Sequence, residues 1–439
     1  MLSTKATNKK LLIITYYWPP AGGPGVQRWL KFVKYLPENG FTPIILTVDE
    51  KLASYAITDQ SLLNEIPSGT KVFRTKTKEL FTLYLKLTKK KAIPFSGFVH
   101  EGKTSLMEKI IRLIRTHFFI PDPRKGWNRY ALKKASELIR QEKIEYLVTT
   151  SPPHSTQLIG LKLKMRFPSI KWLADFRDPW TRIFYFDQLN HTFLSRRVHR
   201  RLEEKVITKA DRVVVISNSM KKDFSADYGE KVKEDKIFVI PNGYDEEDFT
   251  GEKPPPDRDF TITYTGTLAN NYRIDVLIEA VAEINRTGVM KIKLRFIGEI
   301  CETYRNKLAN QISSEQIEII PPVPHKQAIE YLFRSHMLLL VIPDAPNNKT
   351  IVTGKLFEYL AAMRPILGIG PVDGDAAVIL QQTKAGKMFN YGDKESQKEE
   401  ILRILEVINR EKSPYKSVKI ESFSRKKLTI ALLSAMNEV

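Results

Sequence analysis

The chain has 439 residues, a hydrophobic content of 42% and a charged content of 27%, values typical of a soluble globular protein long enough for two domains. No apolar run approaches the ~18 residues of a membrane helix, the N-terminus is unlike a signal peptide, and one cysteine excludes an internal disulfide or a cysteine-cluster metal site. The net charge of +20 indicates a phosphate-bearing partner such as nucleic acid, anionic lipid or a nucleotide diphosphate. We expect a cytoplasmic protein.

A glycine-rich loop follows the first predicted strand. It contains Gly22 and Gly23 and leads into a predicted helix from about Val26 to Leu36. Glycines between a first strand and its helix let the backbone approach a ligand, although an ordinary tight turn is the alternative interpretation. Asp49 ends the second strand as in dinucleotide-binding dehydrogenases, but Arg28 stands where that motif requires its third glycine.

A basic segment, residues 86–119, interrupts this pattern. Its second part, 105–119, is predicted to be a helix with apolar residues on one side and lysine and arginine residues on another. A basic amphipathic segment of this kind can lie on an anionic membrane surface. A basic face that is only solvated is the alternative.

Polar residues follow two further strands of the N-terminal half. His154 comes shortly after the strand 146–149, and Asp175 and Arg177 end the next strand. The carboxyl ends of parallel strands are where open α/β sheets bind ligands, so His154 could donate to a sugar hydroxyl, or it could stabilise its own turn. We interpret Asp175 and Arg177 as a mutual ion pair, with a place in a binding cleft as the alternative.

The C-terminal half alternates short apolar runs with amphipathic helical segments between residues 260 and 369. This alternation predicts a parallel sheet with helices on both faces. The whole chain is therefore predicted to be an α/β protein with two such domains.

The segment Thr353–Pro365 carries the clearest functional signal. Thr353 can cap a helix with its hydroxyl, and Pro365 ends that helix. Lys355 lies in the first turn beside free backbone N–H groups, which suits an anion, and Glu358 can accept hydrogen bonds from a diol such as a ribose. A lysine for a diphosphate and a glutamate for a ribose predict a nucleotide pocket. A solvated Lys–Glu pair is the alternative.

The sequence Gly354-Lys-Leu-Phe-Glu-Tyr-Leu-Ala361 resembles the nucleotide-binding helix of the GT-B glycosyltransferases of family 4, especially the lipopolysaccharide and capsule types. Three strings of the N-terminal half extend this resemblance: residues 121–127, 151–155 and 174–181. It implies two Rossmann-like, doubly wound parallel-sheet domains facing across a cleft. Residues 1–245 would bind the acceptor and residues 246–419 the donor, while a terminal helix within 420–439 packs back on the first domain.

The resemblance also implies roles for single residues. Gly22 and Gly23 would face the donor, His154 would lie near the donor sugar and the acceptor, and Asn242 would approach the cleft from the passage between the domains. The Gly354 amide would join Lys355 in stabilising the departing diphosphate. The implied reaction is metal-independent transfer of a sugar, with retention, from a UDP or GDP donor to a lipid-linked acceptor, and residues 86–119 would hold the enzyme at the cytoplasmic face of a membrane.

The sequence departs from the family at three positions. The family's Gly-Arg-Leu motif is Gly266-Thr267-Leu268 here, and Tyr272 occupies the position of the family's lysine. Arg273, displaced by one residue, could replace that lysine. Thr350 stands where the first glutamate of the E-x7-E pair contacts the donor sugar. These departures place more of the diphosphate charge on Lys355.

Three alternatives remain open. A GT-B sugar-nucleotide epimerase and a non-catalytic basic membrane-binding relative share the predicted fold. A nucleic-acid-binding protein is less favoured because interleaved exposed aromatics and recognised modules are missing. Asp373-Gly-Asp375 could suggest a metal site, but Asp375 is better interpreted as a helix N-cap, so we predict no metal and no cofactor.

Overall fold

The computed structural model describes residues 9–79, 119–184, 186–189, 191–288, 290–411 and 417–437. It divides the chain into two compact units, Met1–Pro241 with Leu428–Val439, and Asn242–Lys427. We call them unit 1 and unit 2. The predicted membrane segment 86–119, except for its last residue, lies outside the described residues.

Unit 1 contains a seven-stranded parallel sheet of order β3-β2-β1-β4-β5-β6-β7. Buried parallel strands are covered on both faces, which explains why they appear in the sequence as nearly continuous apolar runs. The strands are β1 Lys9–Ile14, β2 Phe41–Val48, β3 Lys71–Thr75, β4 Tyr146–Ser151, β5 Lys171–Phe176, β6 Arg212–Val215 and β7 Ile237–Val239.

Helices cover both faces of this sheet. Alternate residues of β1 belong to different cores: Leu12 and Ile14 pack with the layer of α2 to α5, whereas Leu11 and Ile13 pack with α1 and the end of α12. The terminal helix thus packs on unit 1 from Leu428 onward. The helices are α1 Pro24–Tyr35, α2 Asn128–Glu142, α3 Ser155–Arg166, α4 Phe193–Lys209, α5 Asn218–Tyr228 and α12 Arg425–Asn437.

Unit 2 contains a six-stranded parallel sheet of order β10-β9-β8-β11-β12-β13, again between two helix layers. Its strands are β8 Phe260–Thr265, β9 Ile292–Ile297, β10 Ile317–Ile320, β11 Met337–Val341, β12 Ile366–Ile369 and β13 Gly386–Phe389. Its helices are α6 Asp275–Arg286, α7 Glu302–Gln311, α8 His325–Arg334, α9 Gly354–Ala362, α10 Asp375–Thr383 and α11 Lys394–Glu411. The predicted α/β architecture of two parallel-sheet domains is confirmed.

None of the described helices is long and apolar enough to cross a membrane.

A fully buried ion pair joins three segments of unit 1. Nη2 of Arg28 in α1 lies 2.9 Å from Oδ1 of Asp175 at the end of β5, and both side chains are 0% exposed. Trp29 Nε1 and Thr150 Oγ1 each donate to Asp175 Oδ2 at 2.8 Å. The guanidinium of Arg28 also donates to the carbonyl oxygens of residues 240 and 241, the last two before the chain enters unit 2. The pair therefore fixes α1, β5 and the chain's exit from unit 1.

This network corrects the predicted ion pair between Asp175 and Arg177. Asp175 points to the face of the sheet that α1 covers, where Arg28 and Trp29 lie. The strand ends at Phe176, so Arg177 leaves the pleated backbone and its Nη2 donates to the Pro152 carbonyl at 3.1 Å.

The buried pair gives a test of stability. Replacing Asp175 with alanine leaves the guanidinium of Arg28 buried without its carboxylate, so we expect a loss of about 3–5 kcal/mol in the free energy of unfolding, measured by urea denaturation. Glu137→Ala is the control, because it breaks the partly exposed pair with Lys134 and costs less than about 1 kcal/mol. Equal losses in the two variants would contradict this account.

Candidate functional site

Both sheets have a switch point, where successive connections turn to opposite sides of the sheet. It lies between β1 and β4 in unit 1 and between β8 and β11 in unit 2. Loops that leave the carboxyl ends of the two strands at a switch point diverge and leave a crevice for a ligand. The Gly22–Gly23 loop follows β1 and the His154 loop follows β4. Gly266 follows β8, and the chain after β11 leads to α9, so the predicted segments gather at the switch points of their own units.

Lys355 lies against the end of β8, although it belongs to α9. Its Nζ donates to the Thr265 carbonyl at 2.5 Å and lies 3.9 Å from the centroid of the Tyr264 ring. Gly266 has a φ of +104°, and a Cβ there would be 3.1 Å from the Lys355 Nζ. A side chain at this position would be strained and would crowd the ammonium, so the glycine allows the close approach.

The environment of Lys355 lowers the pKa of its ammonium group. Burial lowers its pKa from 10.5 to about 7, and the Glu358 carboxylate opposes this change only in part. The lysine is therefore only partly charged at neutral pH. An arriving phosphate group would favour the protonated form, so the site is suited to an anion. A strongly shifted pKa at a switch point is typical of functional sites.

Tyr359 completes the contact between α9 and β8. Its hydroxyl accepts the Thr265 N–H at 2.9 Å and lies 3.1 Å from Thr265 Oγ1. Lys355 and Tyr359, four residues apart on one face of α9, therefore bind the carbonyl and the N–H of Thr265, respectively. Sequence reasoning gave no role to Tyr264 or Tyr359. The sequence does contain a signal for this contact: Tyr359 lies one helical turn after Lys355, so its side chain can reach the same end of β8.

The first turn of α9 is open to a ligand. A Cβ on Gly354 would meet nothing within 4 Å. Thr353 is the N-cap by backbone position, but its hydroxyl makes no capping bond, so that prediction is wrong. Among the described residues its buried Oγ1 has no hydrogen-bond partner. Because the first N–H groups of a helix lack intrahelical acceptors, this turn offers donors and free space beside Lys355.

Glu358 pairs with a histidine from a helix of the same layer. Its Oε1 lies 3.0 Å from Nε2 of His325, the first residue of α8, and both side chains are partly exposed. The ammonium of Lys355 is engaged by Thr265, so the alternative of a solvated Lys355–Glu358 pair is wrong. His325 was missed by sequence reasoning because its partner lies 33 positions later.

Arg273 is engaged by a carboxylate. Its Nη1 lies 3.1 Å from Oδ2 of Asp344, and the two side chains are 52% and 44% exposed. The hydrogen bond to Asp344 raises the pKa of Arg273, so the charge is permanent but already paired. As a replacement for the family's lysine, Arg273 would have to exchange Asp344 for a phosphate.

The remaining candidates of unit 2 are placed as follows. Thr267 is exposed, and its carbonyl accepts the Tyr264 hydroxyl at 2.8 Å. Thr350 donates its hydroxyl to the Asn347 carbonyl at 2.9 Å. Asn242 is the first residue of unit 2 and is half-buried.

The Asp-Gly-Asp segment has structural contacts. Asp373 forms an ion pair with Lys349. Asp375 lies in the first turn of α10, whose N-cap is Gly374, so the predicted Asp375 cap is wrong by one residue. In the part of the chain that the structure describes, no three His, Cys, Asp or Glu side chains are grouped to hold a metal. That the reaction needs no metal stays a prediction.

The glycine loop of unit 1 is closely packed at one end and open at the other. The Gly22 N–H donates to the Ile57 carbonyl at 2.9 Å, and a Cβ on Gly22 would lie 3.0 Å from the Ile57 side chain. Gly23, the N-cap of α1, has a φ of +87° and open space around it. A Cβ on Gly25 would lie 3.0 Å from Nη1 of Arg177, so this guanidinium sits beside the first turn of α1.

His154 is a buried, neutral imidazole. Its ring stacks on Trp180, with 5.2 Å between centroids, and burial lowers its pKa to about 3. Neither ring nitrogen has a hydrogen-bond partner within the described ranges, and the side chain does not cap α3. A neutral imidazole offers one donor and one acceptor, which suits a hydroxyl. Because Arg177 donates to Pro152, the structure brings the His154 loop, Arg177 and the glycine loop together.

Asp175 differs from these neighbours. It has no exposed surface, and its oxygens accept from Arg28, Trp29 and Thr150. Its contacts give it a structural role in the core of unit 1, whereas Arg177 lies next to both switch-point loops.

Residues 92–248 match the sequence profile of Glycosyltransferase Family 4. This segment includes the His154 loop and Arg177 but ends before α9. No curated protein matches the sequence.

Solved structures extend the similarity to nearly the whole chain. A glycosyltransferase from Rickettsia africae superposes with a TM-score of 0.63 at 16% identity, over 98% of both chains. Anabaena HepE in complex with UDP has a TM-score of 0.62 at 11% identity, over 98% of this chain and 100% of its own. The chain has the GT-B fold and resembles glycosyltransferase family 4. A putative UDP-N-acetylglucosamine 2-epimerase from Listeria monocytogenes also shares this fold, with a TM-score of 0.56 at 14% identity over 98% and 96% of the two chains.

The lowered pKa of Lys355 in this GT-B protein makes its stability depend on pH. Lys355 loses its proton near pH 7 in the folded protein and near pH 10.5 in the unfolded chain. The desolvated ammonium therefore lowers the free energy of unfolding by its full amount below pH 7, and this destabilisation decreases as the pH rises from 7 towards 10.5. We expect Lys355→Met to be more stable than the wild type by about 1–3 kcal/mol at pH 6 in urea unfolding, with this advantage shrinking above pH 7.

Lys384→Met is the matched control, because this lysine is exposed. Its effect on the free energy of unfolding should not change over the same pH range. A pH-independent effect of Lys355→Met would show that the lysine titrates normally.

Proposed function

We propose that this chain is a glycosyltransferase that takes its sugar from a nucleoside diphosphate donor bound by unit 2. One observation carries the proposal: a half-buried lysine in the open first turn of α9 meets a positive-φ glycine at a switch point. Lys355 and the Gly354 amide would hold the diphosphate, with Gly266 leaving room beside them. The fold, the family match and a relative solved with UDP support this assignment.

The chemistry requires stabilisation of a leaving group. As the bond from the anomeric carbon to the diphosphate breaks, negative charge builds on the phosphate oxygens while the sugar becomes oxocarbenium-like. A lysine that gains its proton when the diphosphate binds, together with fixed helix N–H groups, stabilises this charge without a metal. Arg273 contributes if it exchanges Asp344 for a phosphate. Retention of configuration follows from the family resemblance.

We assign the ribose to Glu358. Its carboxylate is positioned by His325 and lies one turn beyond Lys355 in α9, beside the proposed diphosphate position. A carboxylate accepts two hydrogen bonds from a diol, which favours a ribonucleotide.

Unit 1 would bind the acceptor. His154 and Arg177 lie beside the Gly22–Gly23 loop and present a neutral donor–acceptor ring and a cation. A cation suits the phosphate of a lipid-linked glycan acceptor, as in the polysaccharide-forming enzymes that the sequence resembles. The net charge of +20 supports work at an anionic membrane surface on the cytoplasmic side.

Nucleotide binding tests the donor site. Isothermal titration with UDP and with GDP, in the presence of a chelator, should show binding of at least one, and Lys355→Ala should weaken it by about 1.5–3 kcal/mol through loss of a charge-assisted contact. Lys384→Ala removes an equal charge from an exposed position and should leave the affinity unchanged. Full affinity in Lys355→Ala would overturn the site. If neither nucleotide binds, the chain is better explained as a non-catalytic relative.

The ribose assignment has its own test. We expect the wild type to bind 2′-deoxyuridine diphosphate about fivefold more weakly than UDP, because one hydrogen bond is lost. Glu358→Ala should weaken UDP binding and abolish most of this preference, whereas Glu330→Ala, an exposed change on α8, should preserve both. Undiminished preference in Glu358→Ala would place the ribose elsewhere.

An epimerase is the second candidate, because a putative epimerase shares the fold. Inverting a carbon of the sugar needs an acid and a base on that sugar, and it consumes no acceptor. Conversion of a nucleotide sugar to its epimer without any acceptor would favour the epimerase.

A further inference from the structure

Helix α4 has a reversed distribution of polar and apolar side chains in its first half. A helix on the surface of a globular unit normally buries an apolar stripe and exposes polar residues. Here the buried stripe is Ser195, His199 and Glu203, while Phe193 and Leu194 at the start are 78% and 70% exposed. Burying a pair of large apolar side chains would be favourable, so this end of the helix is suited to a partner.

Exposed arginines continue the same face of the helix. Arg197 and Arg201 follow Phe193 at intervals of four residues, which places all three in one column. Neither arginine makes an ion pair among the described residues, whereas Arg196 pairs with Asp187. Arg197 and Arg201 lie beyond the first turn of the helix Phe193–Lys209, so the helix dipole does not decide their placement. With no ion pair in the part of the chain that the structure describes, these two exposed guanidinium groups can bind an anionic partner.

We propose that Phe193, Leu194, Arg197 and Arg201, together called the α4 tip, dock the protein on an anionic lipid bilayer. Phe193 and Leu194 enter the headgroup region to a depth of ~5–10 Å. Arg197 lies one turn, about 6 Å, further along the helix axis, which is the distance that brings its guanidinium to the lipid phosphates.

Charge complementarity selects this partner over a purely apolar one. The α4 tip holds two apolar residues and two guanidinium groups that make no ion pair among the described residues, and a bilayer offers both hydrocarbon and phosphates. A nucleic acid would not need Phe193 or Leu194, and an apolar protein surface would leave both arginines desolvated without a partner. The inference rests on the proposed function only in explaining why the protein would bind a membrane, where a lipid-linked acceptor is found. The vesicle measurements below use no nucleotide and so do not depend on the proposed function.

The test is cosedimentation of the full chain with vesicles of phosphatidylcholine alone or with added phosphatidylglycerol. We expect binding only to the anionic vesicles. Phe193→Ser with Leu194→Ser should weaken it about tenfold or more, and Arg197→Gln with Arg201→Gln about 25-fold, or roughly fivefold for each cation. Circular dichroism and thermal unfolding should confirm that these surface variants fold as the wild type does.

Matched controls remove the same groups elsewhere. Leu402→Ser with Ile430→Ser changes two other exposed apolar residues, and Arg334→Gln with Lys384→Gln removes two exposed cations from unit 2. Both controls should bind vesicles as the wild type does. Wild-type affinity in the α4 tip variants would overturn the proposal, and so would losses of the same size in the controls.

A fluorescent substitution locates the contact directly. The chain's five tryptophans are all buried, so Phe193→Trp adds an exposed one. Its emission should shift to shorter wavelength on binding anionic vesicles, and brominated lipids should quench it. An unshifted emission would place the bilayer elsewhere. Equally, a shift that depends on protein concentration without lipid would show that a second copy of the chain covers the tip, and would overturn the proposal.

The two proposals fail separately. Loss of vesicle binding in the α4 tip variants with unchanged UDP affinity supports both. If the chain binds no nucleotide but the tip variants still lose vesicle binding, the docking surface stands and the transferase assignment fails.

Discussion

In each unit a cation fastens a helix of the candidate site to its sheet, and the way that cation is satisfied separates structure from function. Arg28 meets a carboxylate, two carbonyl oxygens and no solvent, so its charge is fully compensated and holds α1 to β5. Lys355 is half-buried and, among the described residues, meets a carbonyl and an aromatic face, so α9 is held to β8 while no described carboxylate lies within ion-pair distance. A partly desolvated cation without a counter-ion costs stability, and a site that keeps one is suited to an anion.

The sequence predicted the two sheets and most helices because their causes are local. Strands covered on both faces must be apolar throughout, and helices on a sheet must repeat every 3.6 residues. The sequence did not predict which residues pair, because the partners are distant along the chain. The partner of Asp175 lies 147 positions away in α1, and the acceptor of Lys355 lies 90 positions away in β8. A nearby charge, Arg177, was the wrong partner because side-chain direction, not sequence distance, decides which groups meet.

The first residues of helices show a further limit of prediction from the sequence. Both Thr353 and Asp375 have the residue types that cap helices, yet the Thr353 hydroxyl makes no capping bond and Asp375 does not occupy the N-cap position. At α10 the chain turns one residue earlier, at Gly374, and Asp375 instead contributes its charge to the first turn. At α9 the hydroxyl is buried and unsatisfied, which costs free energy unless a ligand supplies a partner. A broken local rule beside Lys355 therefore marks the site more clearly than an obeyed one.

The distribution of charge links the two ends of the mechanism. A nucleoside diphosphate needs only one or two cations, and in the proposed donor site these would be Lys355 and Arg273, which is already paired with Asp344. A net charge of +20 far exceeds this requirement. The remaining positive charge lies on other surfaces, and in α4 the exposed Arg197 and Arg201 follow the exposed Phe193 and Leu194. Cations next to exposed apolar residues meet the requirements of an interface with lipid rather than with a soluble nucleotide.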